Sequence, residues 1–281
     1  MTSTERPDFT IVTLSFNQAG FLRRAIDSVL SQKSAGVEYI VVDPGSTDGS
    51  REIIAEYADR IDQVILDPDD GPAHGLQRAF GRANGRYYGC INSSDALLPG
   101  GLETIRAAFR RTPGVDIVAG GGYLVDPDGR PVKLALPTKF TPTRYVYGIA
   151  EFLQQSTFVT AESFHRVGGY DVTDRITWDG DLLLRLSMNG ARWLRIPDLC
   201  AIFAIHDGAI TSGGRTLEAY RRRHDLAFAK VMHRERAHRD KVLAPAARVF
   251  KLCTHPRVAM RKSAFLLSRS SRRGVVVRTV A

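Results

Sequence analysis

Three aspartates stand where short apolar runs give way to polar turns. Asp43 follows Val37–Val42, Asp70 lies in Asp67-Pro-Asp-Asp-Gly-Pro72 after Gln63–Leu66, and Asp95 follows Tyr87–Asn92 in Ser93-Ser-Asp95. Like charges repel, so three carboxylates gathered at one edge of a sheet point to a cation or a hydrogen-bond-donating ligand held between them. Taken singly, each has the ordinary reading of a turn or N-cap residue. His74, just after Gly71-Pro72, either faces such a ligand or is solvated. Trp178 and Trp193 read first as core residues. His165, His224, His233, His238 and His255 read as surface residues of helical segments, and their spacing forms no metal site.

The elements needed to hold those aspartates alternate along the first hundred residues. Phe9–Leu14 is a β-branched run suited to a buried strand, and Phe21, Leu22, Ala25, Ile26, Val29 and Leu30 then recur at helical spacing. Val37–Val42 is the second strand, and Ser46-Thr-Asp-Gly-Ser50 offers N-cap chemistry before the Ile53, Ile54, Tyr57 face. Gln63–Leu66 and Tyr87–Asn92 are the third and fourth strands, with Pro72 at the first turn of a helix carrying Leu76, Ala79 and Phe80. Strand and helix in alternation with short links predict a parallel sheet covered on both faces, and its ligands collect at the carboxyl ends of the strands. Beyond Pro113 the rhythm changes. Val115–Ala119 predicts a strand and Asp126-Pro-Asp-Gly129 a hairpin turn; residues 133–160 have weak periodicity and are expected to wrap the sheet. Asp179–Met188 predicts a short helix, and Ala191–Ile205 two strands.

Composition sets outer limits. A chain of 281 residues, 43% hydrophobic and 25% charged, is neither disordered nor rod-like and can bury a core without disulfides. Cys90, Cys200 and Cys253 are odd in number and widely spaced, which predicts buried thiols and a reducing, cytosolic setting rather than zinc. Neither a signal-peptide stretch nor a membrane-spanning run is evident. From Arg215 to Ala281 there are 18 Lys+Arg against 4 Asp+Glu, a balance of +14, which leaves −5 for the first 214 residues of a chain whose net charge is +9. Such a tail suits a polyanion or an anionic membrane surface. No nucleic-acid-binding motif, GxGxxG or P-loop accompanies it, so specific nucleic-acid recognition and dinucleotide chemistry are not expected.

Several motifs in fixed order then carry a resemblance: Thr13-Leu-Ser-Phe-Asn17, Val42-Asp-Pro-Gly-Ser-Thr-Asp-Gly49, Asp69-Asp-Gly-Pro72, Ile91-Asn-Ser-Ser-Asp95-Ala-Leu-Leu-Pro-Gly100, Phe152-Leu-Gln-Gln-Ser-Thr-Phe158, Gly168-Gly-Tyr-Asp171, Trp178-Asp-Gly-Asp-Leu182 and His206. Together they resemble the family-2 glycosyltransferases over roughly residues 8–213. The resemblance implies a GT-A (nucleotide-diphospho-sugar transferase) α/β fold with a mostly parallel sheet. It implies a domain over residues 1–214, with a nucleotide-sugar-binding half at 8–112 and an acceptor and catalytic half at 113–214. The basic helical extension at 215–281 lies outside the match.

It also implies inverting transfer of a sugar from a UDP-, dTDP- or GDP-sugar to a sugar or lipid-linked acceptor. In that reading Phe16 stacks on the nucleobase, Asp43 accepts a base N–H, and Thr13, Asn17, Asp70, Gly71 and Ser94 line the donor. Asp95 and His206 hold Mn²⁺ or Mg²⁺ on the diphosphate. Asp179 is the base that takes the acceptor proton, and Asp181 orients the site. One departure stands out: relatives carry two adjacent acids where this chain has Ser94-Asp95, so metal affinity is expected to be weaker or donor preference altered. Two alternatives accompany this reading, a degenerate non-catalytic relative and a basic polyanion-binding protein. The resemblance implies action in polysaccharide, lipid-linked oligosaccharide or glycolipid synthesis, and the cysteines and basic tail lead to an expected place in the cytoplasm or peripherally at the inner membrane face. It leaves the oligomeric state open.

Overall fold

The computed structural model describes residues 6–34, 36–206, 216–240 and 256–267. Its first half alternates as expected: β1 (Phe9–Leu14), α1 (Ala19–Leu30), β2 (Val37–Val42), α2 (Ser50–Glu56), β3 (Gln63–Ile65), α3 (Pro72–Phe80), β4 (Tyr87–Asn92), β5 (Ala96–Leu97) and α4 (Gly101–Arg111). Successive strand side chains point to opposite faces. Phe9, Ile11, Tyr39 and Val41 therefore pack with α1, α2 and α4 on one face of the sheet. Val12, Ile40, Val42 and Cys90 pack on the other with α3 and the later helices.

The second half runs β6 (Ile117–Val125), β7 (Pro131–Ala135), α5 (Pro142–Val146), a 3₁₀ turn at Gln154–Ser156, β8 (Thr157–Thr160), α6 (Ala161–Arg166), α7 (Trp178–Met188) and β9 (Trp193–Ala204). Helices α8 (Leu217–Met232) and α9 (Pro256–Leu267) follow. The strands form one mixed sheet in the order β3-β2-β1-β4-β8-β6-β9-β5, with β7 paired to β6. Strands β3, β2, β1 and β4 are mutually parallel, as are β6 and β9, whereas β8 enters antiparallel between β4 and β6. The order 3-2-1-4 reverses direction between β1 and β4, which makes that gap the switch point where ligands of such sheets bind.

Several expectations are corrected. The stretch 133–160 does not merely wrap the sheet: β7 pairs with β6 across the Asp126–Gly129 turn, and β8 is an internal strand. Strand β6 starts at Ile117 and continues through Gly120-Gly-Gly122. Glycine is required there, because a Cβ on Gly122 would stand 2.2 Å from the Ala201 carbonyl oxygen. Residues 191–205 form one long strand rather than two. β9 runs beside β6 and absorbs Pro197, which lacks an N–H to donate, at a shift in register opposite the glycines. Gly168 and Gly169 both have positive φ (78° and 72°), as the turn before Tyr170 requires.

Helix α8 is mostly exposed but is anchored to the core by one residue. Phe228 is fully buried with the α3–α7 face of the core, edge-on to Tyr147 at 5.4 Å. Helix α9 anchors through Phe265 against Leu134 and Leu136, and Lys262 pairs with Glu151 at 2.7 Å. Cys90 and Cys200 are buried free thiols; Cys253, His255, Arg269, Arg272 and Arg273 lie outside the described residues. Among the described residues no helix is long and apolar enough to cross a membrane.

Candidate active site

Parallel register sets the geometry. Leu14 is opposite both Val42 and Asn92, so the segments after β1, β2 and β4 leave the sheet at one edge, flanking the switch point. Ser93 N donates to the Leu14 carbonyl at 2.8 Å, and the Ser93 hydroxyl meets the Gln18 side chain, which ties the β1 and β4 loops together. Phe16 stands at this edge 59% exposed, so its aromatic side chain is available for stacking.

The Asp43 loop is strapped down by its own side chains. Asp43 Oδ1 accepts from Gly45 N (3.1 Å), Ser46 N (2.8 Å) and Arg51 Nε (3.3 Å), while Oδ2 accepts from the Ser46 hydroxyl (2.6 Å). Burial raises its pKa, but the bonds from Ser46 and Gly45 outweigh that and leave it below the ordinary value. Asn17, at φ 51°, accepts from Thr47 N through Oδ1 at 2.9 Å and donates its own N–H to Ser46 Oγ at 2.8 Å. Asp43 and Asn17 thus tie the loop after β2 to the loop that carries Phe16.

Three expectations change here. The Thr13 side chain does not line the donor cleft: it is wholly buried, and its hydroxyl is 2.9 Å from the Tyr39 hydroxyl inside the core. Asp70 does not end β3, which stops at Ile65. Its side chain is 76% exposed, 3.3 Å from His74 Nδ1 and 4.0 Å from Arg175. Its neighbour Asp69 folds inward instead, accepting from Gly71 N at 2.9 Å, and Gly71 (φ 126°) carries Arg175 against its bare backbone. Helix α2 is capped by Gly49, with no side-chain bond. Asp48 reaches across to Ala19 N at 2.8 Å and so caps α1 from a different loop.

Asp95 is fully buried at the end of the β4 loop. It accepts from Gln155 Nε2 (2.5 Å), Asn92 Nδ2 (2.9 Å) and Ala204 N (3.1 Å), and burial pushes its carboxyl up to about 6. The bond to Ala204, with β5 pairing Ala96 to Ile202, brings Asp95 to the end of β9, two residues before His206. The His206 ring lies 4.9 Å from that of Phe21. Ser94 is buried beside Asp95, and its carbonyl accepts from Arg24 Nη2 at 2.6 Å.

Asp179 sits in the first turn of α7, where the N-terminal dipole favours a negative charge. Its Oδ1 accepts from Gly180 N at 2.7 Å, yet desolvation still raises the carboxyl to about 6. It lines a narrow cavity with Cys90, Gln154 and Tyr170 that leaves about 20 Å³, room for about one water molecule. The Cys90 thiol is raised first by burial and then by the charges of Asp179 and Asp95. Asp181 is held instead by Arg185 at 2.7 Å. Trp178 is core, edge-on to Tyr170, and Trp193 stacks on Phe140 at 4.6 Å.

Sequence reasoning passed over Asp48, Arg24, Gln155 and Arg51. Asp48 and Gln155 lay inside quoted motifs and were legible as polar residues without a role. Arg24 and Arg51 look like solvent-facing cations on amphipathic helices and carry no sequence signal.

A divalent cation at Asp95 and His206 can be tested against these donors. A carboxylate offers about four acceptor positions, and three on Asp95 are taken. Among the described residues no group of three His, Cys, Asp or Glu is placed to hold a metal ion. The set fits a cation held chiefly by the oxygens of a bound diphosphate, as is usual for Mg²⁺, and not a cage built by the protein alone.

Fold and site together define a GT-A-type α/β protein with a candidate nucleotide site at the β1/β4 switch point. The sequence model of Glycosyl transferase family 2 matches residues 10–166, more than half of the chain, and the chain belongs to that family. It is 31% identical over 131 residues to the succinoglycan biosynthesis protein ExoO of Rhizobium meliloti (strain 1021), covering 46% of this chain and 37% of ExoO. It is 36% identical over 101 residues to TuaG of Bacillus subtilis (strain 168), a protein whose name assigns it to teichuronic acid biosynthesis, covering 35% of this chain and 40% of TuaG. The chain thus spans about two fifths of the length of these relatives. Among solved structures, S. aureus TarS 1–349 in complex with UDP-GlcNAc superposes with a TM-score of 0.62 at 14% identity, over 88% of this chain and 72% of that one. The mannosyltransferase PcManGT from Pyrobaculum calidifontis, in complex with GDP-Man and Mn²⁺, gives 0.59 at 18% identity, over 94% and 81%. The fold is the GT-A fold.

Proposed function

We propose that this protein is an inverting glycosyltransferase that moves a sugar from a nucleoside-diphosphate sugar to an acceptor hydroxyl in polysaccharide, lipid-linked oligosaccharide or glycolipid synthesis. The observation that carries the reading is the gathering of exposed Phe16, Asp43 and buried Asp95 on the loops after β1, β2 and β4 at one edge of the parallel sheet. The segment 8–112 holds the donor and 113–214 the acceptor. Phe16 stacks on the base, and the Asp43–Asn17 loop, with Asp70, Gly71 and Ser94, bounds the donor. Asp95 and His206 hold Mn²⁺ or Mg²⁺ against the diphosphate; that cation supplies charge neutralisation for the departing nucleoside diphosphate. Asp179 accepts the acceptor's hydroxyl proton as its oxygen attacks the anomeric carbon, and the bond to the diphosphate breaks on the opposite face.

The test is calorimetry with UDP, GDP and dTDP, each with Mn²⁺, Mg²⁺ or EDTA. One nucleotide is expected to bind, and Phe16→Ala should weaken it by about fivefold or more, since base–aromatic stacking is worth roughly 1–3 kcal/mol. No binding by any nucleotide would overturn the donor site. The acceptor reading places the protein at the inner membrane face, supported by the charge of residues 215–281 and by Met260, Leu266 and Leu267, exposed on α9. Full-length protein is expected to float with anionic liposomes and to remain behind with neutral ones; an unchanged free fraction with both would remove the membrane from the proposal.

A further inference from the structure

Arg24 occupies a place that the chemistry above leaves unexplained. It lies on the second turn of α1, and its Nη2 donates to the Ser94 carbonyl at 2.6 Å, on the loop that carries Asp95. Its Nε is buried and has no hydrogen-bond partner. Among the described residues the guanidinium is in ion-pair contact with no carboxylate, although Asp95 is close enough to act on its charge. Phe21, whose ring stands 6.0 Å from the guanidinium, lies against His206, so Arg24, Ser94, Asp95, Phe21 and His206 form one cluster.

The charge of this cluster differs from that of a two-acid loop. Ser94 contributes none, and the guanidinium of Arg24 offsets the carboxylate of Asp95. An arriving divalent cation therefore meets little net negative charge from the protein. A diphosphate meets a guanidinium held by the Ser94 carbonyl and not spent on an ion pair, a planar cation of the kind that suits phosphate oxygens. We infer that Arg24 is a fixed counter-charge for the diphosphate of the bound nucleotide and reduces the dependence of nucleotide binding on a divalent cation. This rests on the donor site proposed above and assigns to that site a residue outside its motifs.

The experiment is calorimetry of the full chain with UDP and GDP, in EDTA and in Mn²⁺, for the parent, Arg24→Gln and Arg24→Lys. Uridine and guanosine serve as probes without a diphosphate. The parent should bind one nucleoside diphosphate in EDTA at least about tenfold more tightly than the matching nucleoside, the size expected of a charge-assisted contact. Arg24→Gln should remove most of that gain in EDTA and cost less in Mn²⁺, and Arg24→Lys should restore part of it. Binding of the parent in Mn²⁺ but not in EDTA overturns the inference and leaves the donor site standing. So does an Arg24→Gln protein with unchanged affinity in EDTA, which would reduce Arg24 to a support for the Ser94 carbonyl. Absence of binding in both conditions overturns the donor site and this role together. Should Arg24→Gln fail to fold, the comparison of diphosphate with nucleoside in the parent and in Arg24→Lys decides the matter.

Discussion

Asp179→Asn should lower sugar transfer by about 10²–10⁴-fold while leaving nucleotide affinity within about twofold of the parent, the range expected when a general base is lost. The amide keeps the shape of the carboxylate and its place in the first turn of α7, but it cannot take a proton. Rate measurements at saturating donor and acceptor, beside calorimetry, separate the two effects; turnover near the parent value would remove Asp179 from the role of base. The pH profile adds a second reading. A base works ionised, and burial raises the Asp179 carboxyl to about 6. Turnover should therefore fall about tenfold per pH unit below that value and level off above it. Asp95 also lies near 6, but it acts on the donor, so its protonation should appear in nucleotide affinity and not in turnover at saturation. The acid limb of turnover should vanish in Asp179→Asn.

Phe228→Ala should cost about 3–5 kcal/mol of stability, the usual loss for a fully buried phenylalanine truncated in a core. The ring is completely shielded from solvent, packed edge-on to Tyr147, with the guanidinium groups of Arg234 and Arg236 at 5.1 and 4.5 Å from its centre. Arg236 in turn donates to the Val146 carbonyl at 3.0 Å, so the segment after α8 closes over the same region. Urea denaturation of the full chain measures the loss. A cost below about 1 kcal/mol would mean that α8 rests on the core without belonging to it. The consequence reaches the site, because α8 packs on α5 and α5 packs on α7, which carries Asp179.

The sequence by itself determined the first half of the molecule closely. The β-branched runs at Phe9–Leu14 and Val37–Val42, the aromatic-led run Tyr87–Asn92 and the apolar faces of α1 and α3 have local causes: side-chain stiffness, period and turn chemistry. The gathering of Phe16, Asp43 and Asp95 at one sheet edge follows, because parallel strands linked by helices must end on the same side. Tertiary structure decided the rest. That β8 enters antiparallel, that β9 is one strand across Pro197, and that α8 docks through Phe228 depend on partners distant in the chain, which no local window contains. The same holds for individual side chains. Thr13 turns to Tyr39, Asp69 and not Asp70 folds inward, and Asp48 caps a helix from another loop, because each polar group takes whichever partner the fold brings within reach. Residue type told which chemistry was available; only packing decided which groups could meet to perform it.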